Sequence, residues 1–197
     1  DYAIPPLSEV SGVLRFSETG ARSDGLRFAA LGGAGQLRIQ PGRDGRMQFA
    51  LAGGADMRAA TRQYLPWLAP HLSGHSEYRG EFVVGRELES LWLESSLQGV
   101  DSQLPTPLGK LPAQALPLRL DLTPEPRQGM RLAIKAGQTL QGQFWLGEHG
   151  QVQRGALRLG PAALPAAPAR GGLAVAAAGE RFELDPWLSL GSGDADG

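Results

Sequence analysis

Apolar and polar residues alternate with a period of two along most of this chain. Val10, Gly12, Leu14 and Phe16 alternate with Ser11, Val13 and Arg15; Leu26 and Phe28 flank Arg27; Leu37 and Ile39 flank Arg38; Met47, Phe49 and Leu51 alternate with Gln48 and Ala50. The habit continues through Tyr78 to Val84, Leu91 to Leu97, Leu116 to Leu122, Met130 to Lys135, Leu140 to Leu146, Leu157 to Leu159 and Leu173 to Val175. Successive side chains on a strand point to opposite faces, so each stretch predicts a strand with one buried and one wetted face. Gly, Pro and Asp bound the stretches, as turns require, and about ten or eleven strands are expected.

One segment follows a different period. Asp56 to Leu65 (DMRAATRQYL) combines an acidic cap candidate, Ala-rich helix propensity and apolar residues at helical spacing, and Pro66 would end it. A short helix lying across the sheet is predicted there. Leu97 to Ala115 holds three prolines and no clean period, which predicts a long ordered loop or an edge crossing. The stretch 161–172 (PAALPAAPARGG) reads as a surface connection and a candidate sub-boundary between sheet units, and 191–197 as a disordered tail. The expected fold is all-β: a mostly antiparallel, strongly curved sheet forming a groove or an open sandwich, with one short helix, over a single β-rich section 1–190.

Composition narrows the chemistry. A chain of 197 residues is long enough to bury a real core. It has no cysteine, which excludes disulfides and thiolate chemistry. Nineteen Lys+Arg against 20 Asp+Glu leave a net charge of −1, so there is no basic field for nucleic acid. The 28 glycines and 15 prolines exceed a fifth of the chain and suit strands joined by turns. Every apolar run falls short of the ~20 residues of a membrane helix. Asp1 is not followed by the basic and apolar regions of a signal peptide, and the chain reads as a piece of a longer protein.

Candidate catalytic patterns are weak. His71 and His75 are four apart, but Ser73 and Gly74 between them make a helix improbable, and no third metal ligand is evident. Leu31 to Gly35 (LGGAG) is Gly-rich, yet Gln36 to Ile39 reads as a strand where a phosphate loop needs a helix, so a β-turn is expected. Glu89, Glu94 and Asp101 are the carboxylates that a glycosidase-like pair would draw on, and solvated strand faces are their ordinary setting. His149 falls in a turn, and no nucleophile-elbow motif is present. No cofactor, no metal and no enzymatic activity are expected. Trp92 and Trp145 fall on the polar parity of their strands; they either cover an edge, meet another segment or partner, or pack under the helix or a loop.

Several segments together resemble the YhdP branch of the AsmA-like envelope proteins. Glu94 to Lys110 (ESSLQGVDSQLPTPLGK) is the most specific: it looks like that family's strand ending in Ser-x-Leu-x-Gly, followed by Leu-Pro-x-Pro-Leu-x-Lys. Val10 to Phe16 followed by Leu31 to Gly33, His71 to Gly74 followed by Tyr78 to Gly80, and Leu173 to Trp187 ending in LDPW are similar to further pieces of it. The resemblance implies a periplasmic section of a long protein anchored in the inner membrane of a Gram-negative cell. Its β-sheet groove would carry phospholipid towards the outer membrane. The expected partners are phospholipid acyl chains, neighbouring β segments of the parent chain and other envelope proteins. The groove lining would be the apolar parity: Phe49, Leu51, Phe82, Val84, Leu91, Leu93, Leu118, Leu120, Leu132, Ile134, Phe144 and Leu146. The Leu104 to Lys110 segment reads either as a lipid or partner contact or as a rigid turn.

Two other readings stay open at this point. The same alternation builds an ordinary closed sandwich, which would make the chain a structural or protein-interaction β domain that adds a partner strand at an exposed edge. A β-sandwich hydrolase or sugar-binding module would need clustered carboxylates or an aromatic platform in a cleft.

Overall fold

The computed structural model describes residues 6–18, 20–125, 129–147, 149–179 and 185–187. The tail 191–197 lies outside the described residues. Thirteen strands join in a single open sheet: β1 (Ser8–Ser11), β2 (Arg15–Ser17), β3 (Gly20–Ala30), β4 (Gly33–Pro41), β5 (Met47–Asp56), β6 (Leu72–Val84), β7 (Leu88–Ser95), β8 (Val100–Ser102), β9 (Leu118–Glu125), β10 (Gly129–Ala136), β11 (Leu140–Leu146), β12 (Val152–Leu159) and β13 (Gly172–Ala177). The path runs β1-β3-β4-β5-β6-β7-β9-β10-β11-β12-β13, with β2 beside β3 and β8 beside β6. All pairings are antiparallel except β12 with β13. That one parallel pair follows from its long Pro- and Ala-rich connection, since a tight hairpin can only reverse the chain. No second sheet lies against this one among the described residues, so the closed sandwich is not formed.

The alternation fixes the sheet because a one-residue slip would turn every apolar side chain to the wrong face. Cross-strand partners share a face, and two apolar rows run the width of the sheet. One passes through Ile39, Phe49, Phe82, Leu91, Leu122, Leu132 and Phe144; the other through Leu37, Leu51, Leu93, Leu120, Ile134, Leu157 and Val175. Phe49 and Phe82 stack with ring centroids 4.5 Å apart and planes 4° from parallel. Glycines make room for neighbouring rings: a Cβ at Gly35, in the adjacent row, would lie 2.4 Å from the Phe28 ring, and one at Gly155, in the first row, would lie 2.6 Å from the Phe144 ring. Each phenylalanine therefore spreads over the backbone of the glycine paired with it across the strands.

Three sequence expectations are modified. The single strand expected over Val10 to Phe16 is two short ones, β1 and β2. Gly12 divides them at φ +142, where a Cβ would sit 2.9 Å from the Gly25 carbonyl oxygen. The strand expected to continue to Leu97 stops at Ser95, because Leu97 takes a left-handed φ of 49. The loop expected over Leu97 to Ala115 contains β8, a three-residue strand on the first residues of β6.

The helix forms as α1 (Met57–Tyr64), with Asp56 as N-cap accepting a hydrogen bond from the Ala59 backbone N–H at 2.8 Å. It links β5 to β6 and packs on both, and none of its residues is buried. Pro66 ends it and opens a 3-10 turn, Pro66–His71, where its missing N–H costs no hydrogen bond. Leu31 and Gly32, at φ 54 and 73, make the two-residue turn between β3 and β4. The Gly-rich segment is thus a hairpin turn of the kind that needs positive φ at both central positions.

Candidate functional site

All twelve residues expected to line a groove fall on one face of the sheet. Phe49, Phe82, Leu91, Leu132 and Phe144 lie in the first apolar row, and Leu51, Leu93, Leu120 and Ile134 in the second. Leu118 sits one row further on, opposite Ser95 and Ala136, while Val84 and Leu146 extend the face in the other direction through their partners Met47 and Met130. Leu122 and Leu157 belong to the same rows. The strand period alone places Leu122 there, two residues beyond Leu120. The face extends from β4 to β13, nine strands, or roughly 38 Å at ~4.8 Å per strand step.

Exposure along this face is uneven. At the N-terminal end Leu26, Phe28, Leu37 and Ile39 are each less than 10% exposed, and Leu31, Met47, Phe49, Leu51 and Phe82 pack against them. From β7 to β11 the apolar residues of the twelve are half-buried, none of them reaching full burial. A partly wetted surface of leucine, isoleucine and phenylalanine on one side of an open sheet is an adhesive for hydrocarbon. Each methylene taken out of water there gains about 0.8 kcal/mol.

The opposite face is charged and internally paired. Arg79 meets Glu94 at 2.8 Å, Arg119 meets Glu94 at 2.7 Å, and Arg119 grips Asp121 through Nη2 at 2.6 Å and Nε at 3.0 Å. These bonds hold the Glu94 carboxyl below its ordinary pKa, with the Arg119 hydrogen bond the largest cause and that of Arg79 next. The same Arg119 guanidinium lies 4.5 Å over the Trp92 ring, and Arg154 lies 4.1 Å over the Trp145 ring. The two tryptophans on the polar parity thus each meet an arginine from another strand on their own face. Glu89 pairs with Arg46 at 2.6 Å, and Asp101 lies on β8. Glu94 and Glu89, two of the three candidate carboxylates, are therefore each bound to arginine.

An open depression of roughly 820 Å³ lies where β7, β9 and β10 end; Arg79, Glu94, Arg119 and Lys135 of the charged face line it together with Tyr78 and Leu118 of the apolar parity. A hydrocarbon tail against its charged wall would strip water from the ion pairs, whereas Leu118, one of the twelve, offers an apolar contact there.

The Leu104 to Lys110 segment closes into a tightly bonded loop. Ser102 and Lys110 exchange backbone hydrogen bonds at 2.9 and 3.0 Å, and the Ser102 hydroxyl donates to the Leu108 carbonyl at 2.8 Å. The Lys110 ammonium donates to the Leu97 carbonyl at 2.8 Å and also to the Val100 carbonyl. Burial pushes its pKa down, and Asp101 opposes that shift. The loop is a rigid turn bolted by its lysine. The sequence pattern identified the segment but not the bolt, because the accepting carbonyls carry no side-chain signal. His71 joins the loop through its backbone, accepting from the Gln103 N–H at 2.9 Å, and His75 stands 3.5 Å from Asp56.

No curated protein and no solved structure matches this chain. The family model described as YhdP protein matches residues 1–193. With nearly its whole length matched, and with an open antiparallel sheet as its fold, the chain belongs to the YhdP family of AsmA-like envelope proteins.

Proposed function

We propose that this chain is a lipid-conducting section of a bridge-like envelope protein, and that its apolar sheet face carries phospholipid acyl chains. The observation that supports this is the pair of apolar rows from β4 to β13, interrupted by Gly80, Gly142 and Gly155, whose large side chains stay half-buried from β7 to β11 with no second sheet above them among the described residues. A globular domain would cover such a face. A lipid tail lying along the rows keeps hydrocarbon out of water while the headgroup stays in solvent. The rows run across the strands, so a tail can pass from one strand to the next over large apolar side chains and the glycines between them. No bond is made or broken, and the role asks for no catalytic group or cofactor. In this reading the chain belongs to the periplasmic part of an inner-membrane-anchored Gram-negative protein, and Leu93, Leu120, Leu132 and Ile134 are the central contacts.

The outer edge of β13 favours a second contribution alongside the first. No described strand pairs with it, it carries no charge, and its Leu173 and Val175 are 52% and 54% exposed. Natural edges are usually blunted with charge, proline or bulges. This one instead offers both apolar rows to a neighbouring β segment of the parent chain or to a partner strand.

The test is lipid recovery from the protein purified without detergent. Mass spectrometry of extracted wild-type protein is expected to find phospholipid. The double variant L120D/I134D, checked for retained strand content by circular dichroism, is expected to lose it. Wild-type protein free of lipid, or an undiminished yield from the folded variant, would contradict the reading.

A further inference from the structure

The connection between β5 and β6 projects a patch of a different kind. Tyr64, Leu65 and Trp67, at the junction of α1 and the 3-10 turn, are 37%, 45% and 49% exposed. Arg58 and Arg62 are also exposed and lie one helical turn apart, with Leu65 three residues further along. Neither arginine side chain has an ion-pair or hydrogen-bond partner among the described residues. Ala59, Ala60 and Thr61 face the protein more closely, so the small residues pack inward and the large and charged ones outward.

Charge and shape both limit what this patch fits. From Met57 to Ser76 the chain has two arginines and two histidines and no carboxylate. The loop tethered to it through the Gln103–His71 hydrogen bond has no carboxylate from Gln103 to Pro117. Apolar and aromatic side chains beside unpaired arginines match a lipid–water interface. Tryptophan and tyrosine settle there at headgroup depth, and arginine meets lipid phosphates. Carboxylates flank the patch, since Asp56 caps α1 and stands 3.5 Å from His75 and Asp101 faces Ser73 across the β6–β8 pair, so attraction to an anionic surface rests on the outward-facing Arg58 and Arg62. A protein groove would be expected to meet a wider apolar stripe than these three residues, and nucleic acid would need more than two cations.

We propose that the α1 and 3-10 corner docks onto anionic lipid bilayers, with Leu65 and Trp67 entering the interface and Arg58 and Arg62 pairing with lipid phosphate. This goes beyond acyl-chain carriage on the sheet face, which neither requires it nor follows from it. The corner leaves the sheet at the β5–β6 end, away from the rows between β7 and β11.

The test is co-sedimentation of the whole chain with vesicles of phosphatidylglycerol and phosphatidylethanolamine, against vesicles of phosphatidylcholine alone. Binding is expected to the anionic vesicles and to weaken with salt. Each arginine near an anionic surface contributes about fivefold, so R58Q/R62Q is expected to bind roughly 25-fold more weakly. Glutamine keeps the helix propensity of these exposed positions, so the variant folds. L65S/W67S is expected to lose binding as well. L7S, which removes a similarly exposed leucine just before β1, is expected to leave it unchanged. Equal binding to both vesicle types, no binding to anionic vesicles, or equal losses from L7S and L65S/W67S would overturn the proposal.

Discussion

The two ends of the apolar face differ in how well they are sealed. In β3 and β4 burial alternates sharply, with Leu26, Phe28, Leu37 and Ile39 buried and Arg27, Gln36 and Arg38 exposed. Between β7 and β11 the same apolar parity continues, but the twelve-residue set there stays half-buried, and much of the polar face is half-buried too. Identical patterning thus serves two ends. Where neighbouring side chains fold over it, as Leu31, Met47 and Phe82 do at the N-terminal end, the face is core. Between β7 and β11 cover is uneven: Met130 and Ala136 on the same face are 3% and 5% exposed, while Leu91, Leu93, Leu120, Leu132 and Ile134 stay half-buried and offer surface. Stability should reside mainly in the first region and ligand contact in the second.

The largest expected effect separates the two regions directly. Phe28→Ala removes a buried ring and should cost about 3–5 kcal/mol, whereas Leu132→Ala on the half-wetted stretch should cost only about 1 kcal/mol. Urea midpoints of the two variants test this, and equal losses would mean that the central stretch is also sealed. Lys110→Met should cost about 2 kcal/mol, because two carbonyls lose a charged donor while partly buried. The loss should be local, read as faster hydrogen exchange at Gly99 and Ser102, whose N–H groups bond within this loop. Unchanged exchange there would remove Lys110 from its role as a bolt.

The smallest effect concerns the charged face. The Glu94 pKa is depressed in the folded chain, so its pairing stabilises above the ordinary value of 4.5 and that contribution is lost as pH falls through the lower, folded value. Arg119→Met removes the largest cause of the depression and leaves Arg79. The wild type should therefore lose stability more steeply than the variant between about pH 5 and pH 3. Parallel slopes would show that the Arg119–Glu94 pair is not formed in solution.

Much of the sheet was legible from the chain because the strand period is read residue by residue. The parity that groups Leu118, Leu120 and Leu122 in β9 also groups Leu132 and Ile134 in β10, and cross-strand pairing then joins them. The helix was legible for a similar local reason, through Asp56 and its cap bond to Ala59. What the pattern could not supply is anything set by distant parts of the chain. Gly12 splits its strand because of the Gly25 carbonyl, 13 residues away in sequence. The arginines over Trp92 and Trp145 come from other strands, so alternation marked the tryptophans as misplaced without saying what met them. Nor does period two distinguish a covered apolar face from an open one, since both ends of this sheet carry the same alternation.

Site-specific photo-crosslinking in the full-length parent in cells tests the central claim most directly, with a photoreactive residue placed in turn at Leu120, at its opposite-face neighbour Arg119 and at Leu37 in the sealed end. Adjacent strand residues face opposite ways, so the first pair controls for expression and reach. The account predicts phospholipid adducts at Leu120 and none at Arg119 or Leu37. Adducts at none of the three, with folded protein present, would contradict it and leave this sheet as a structural or partner-binding section.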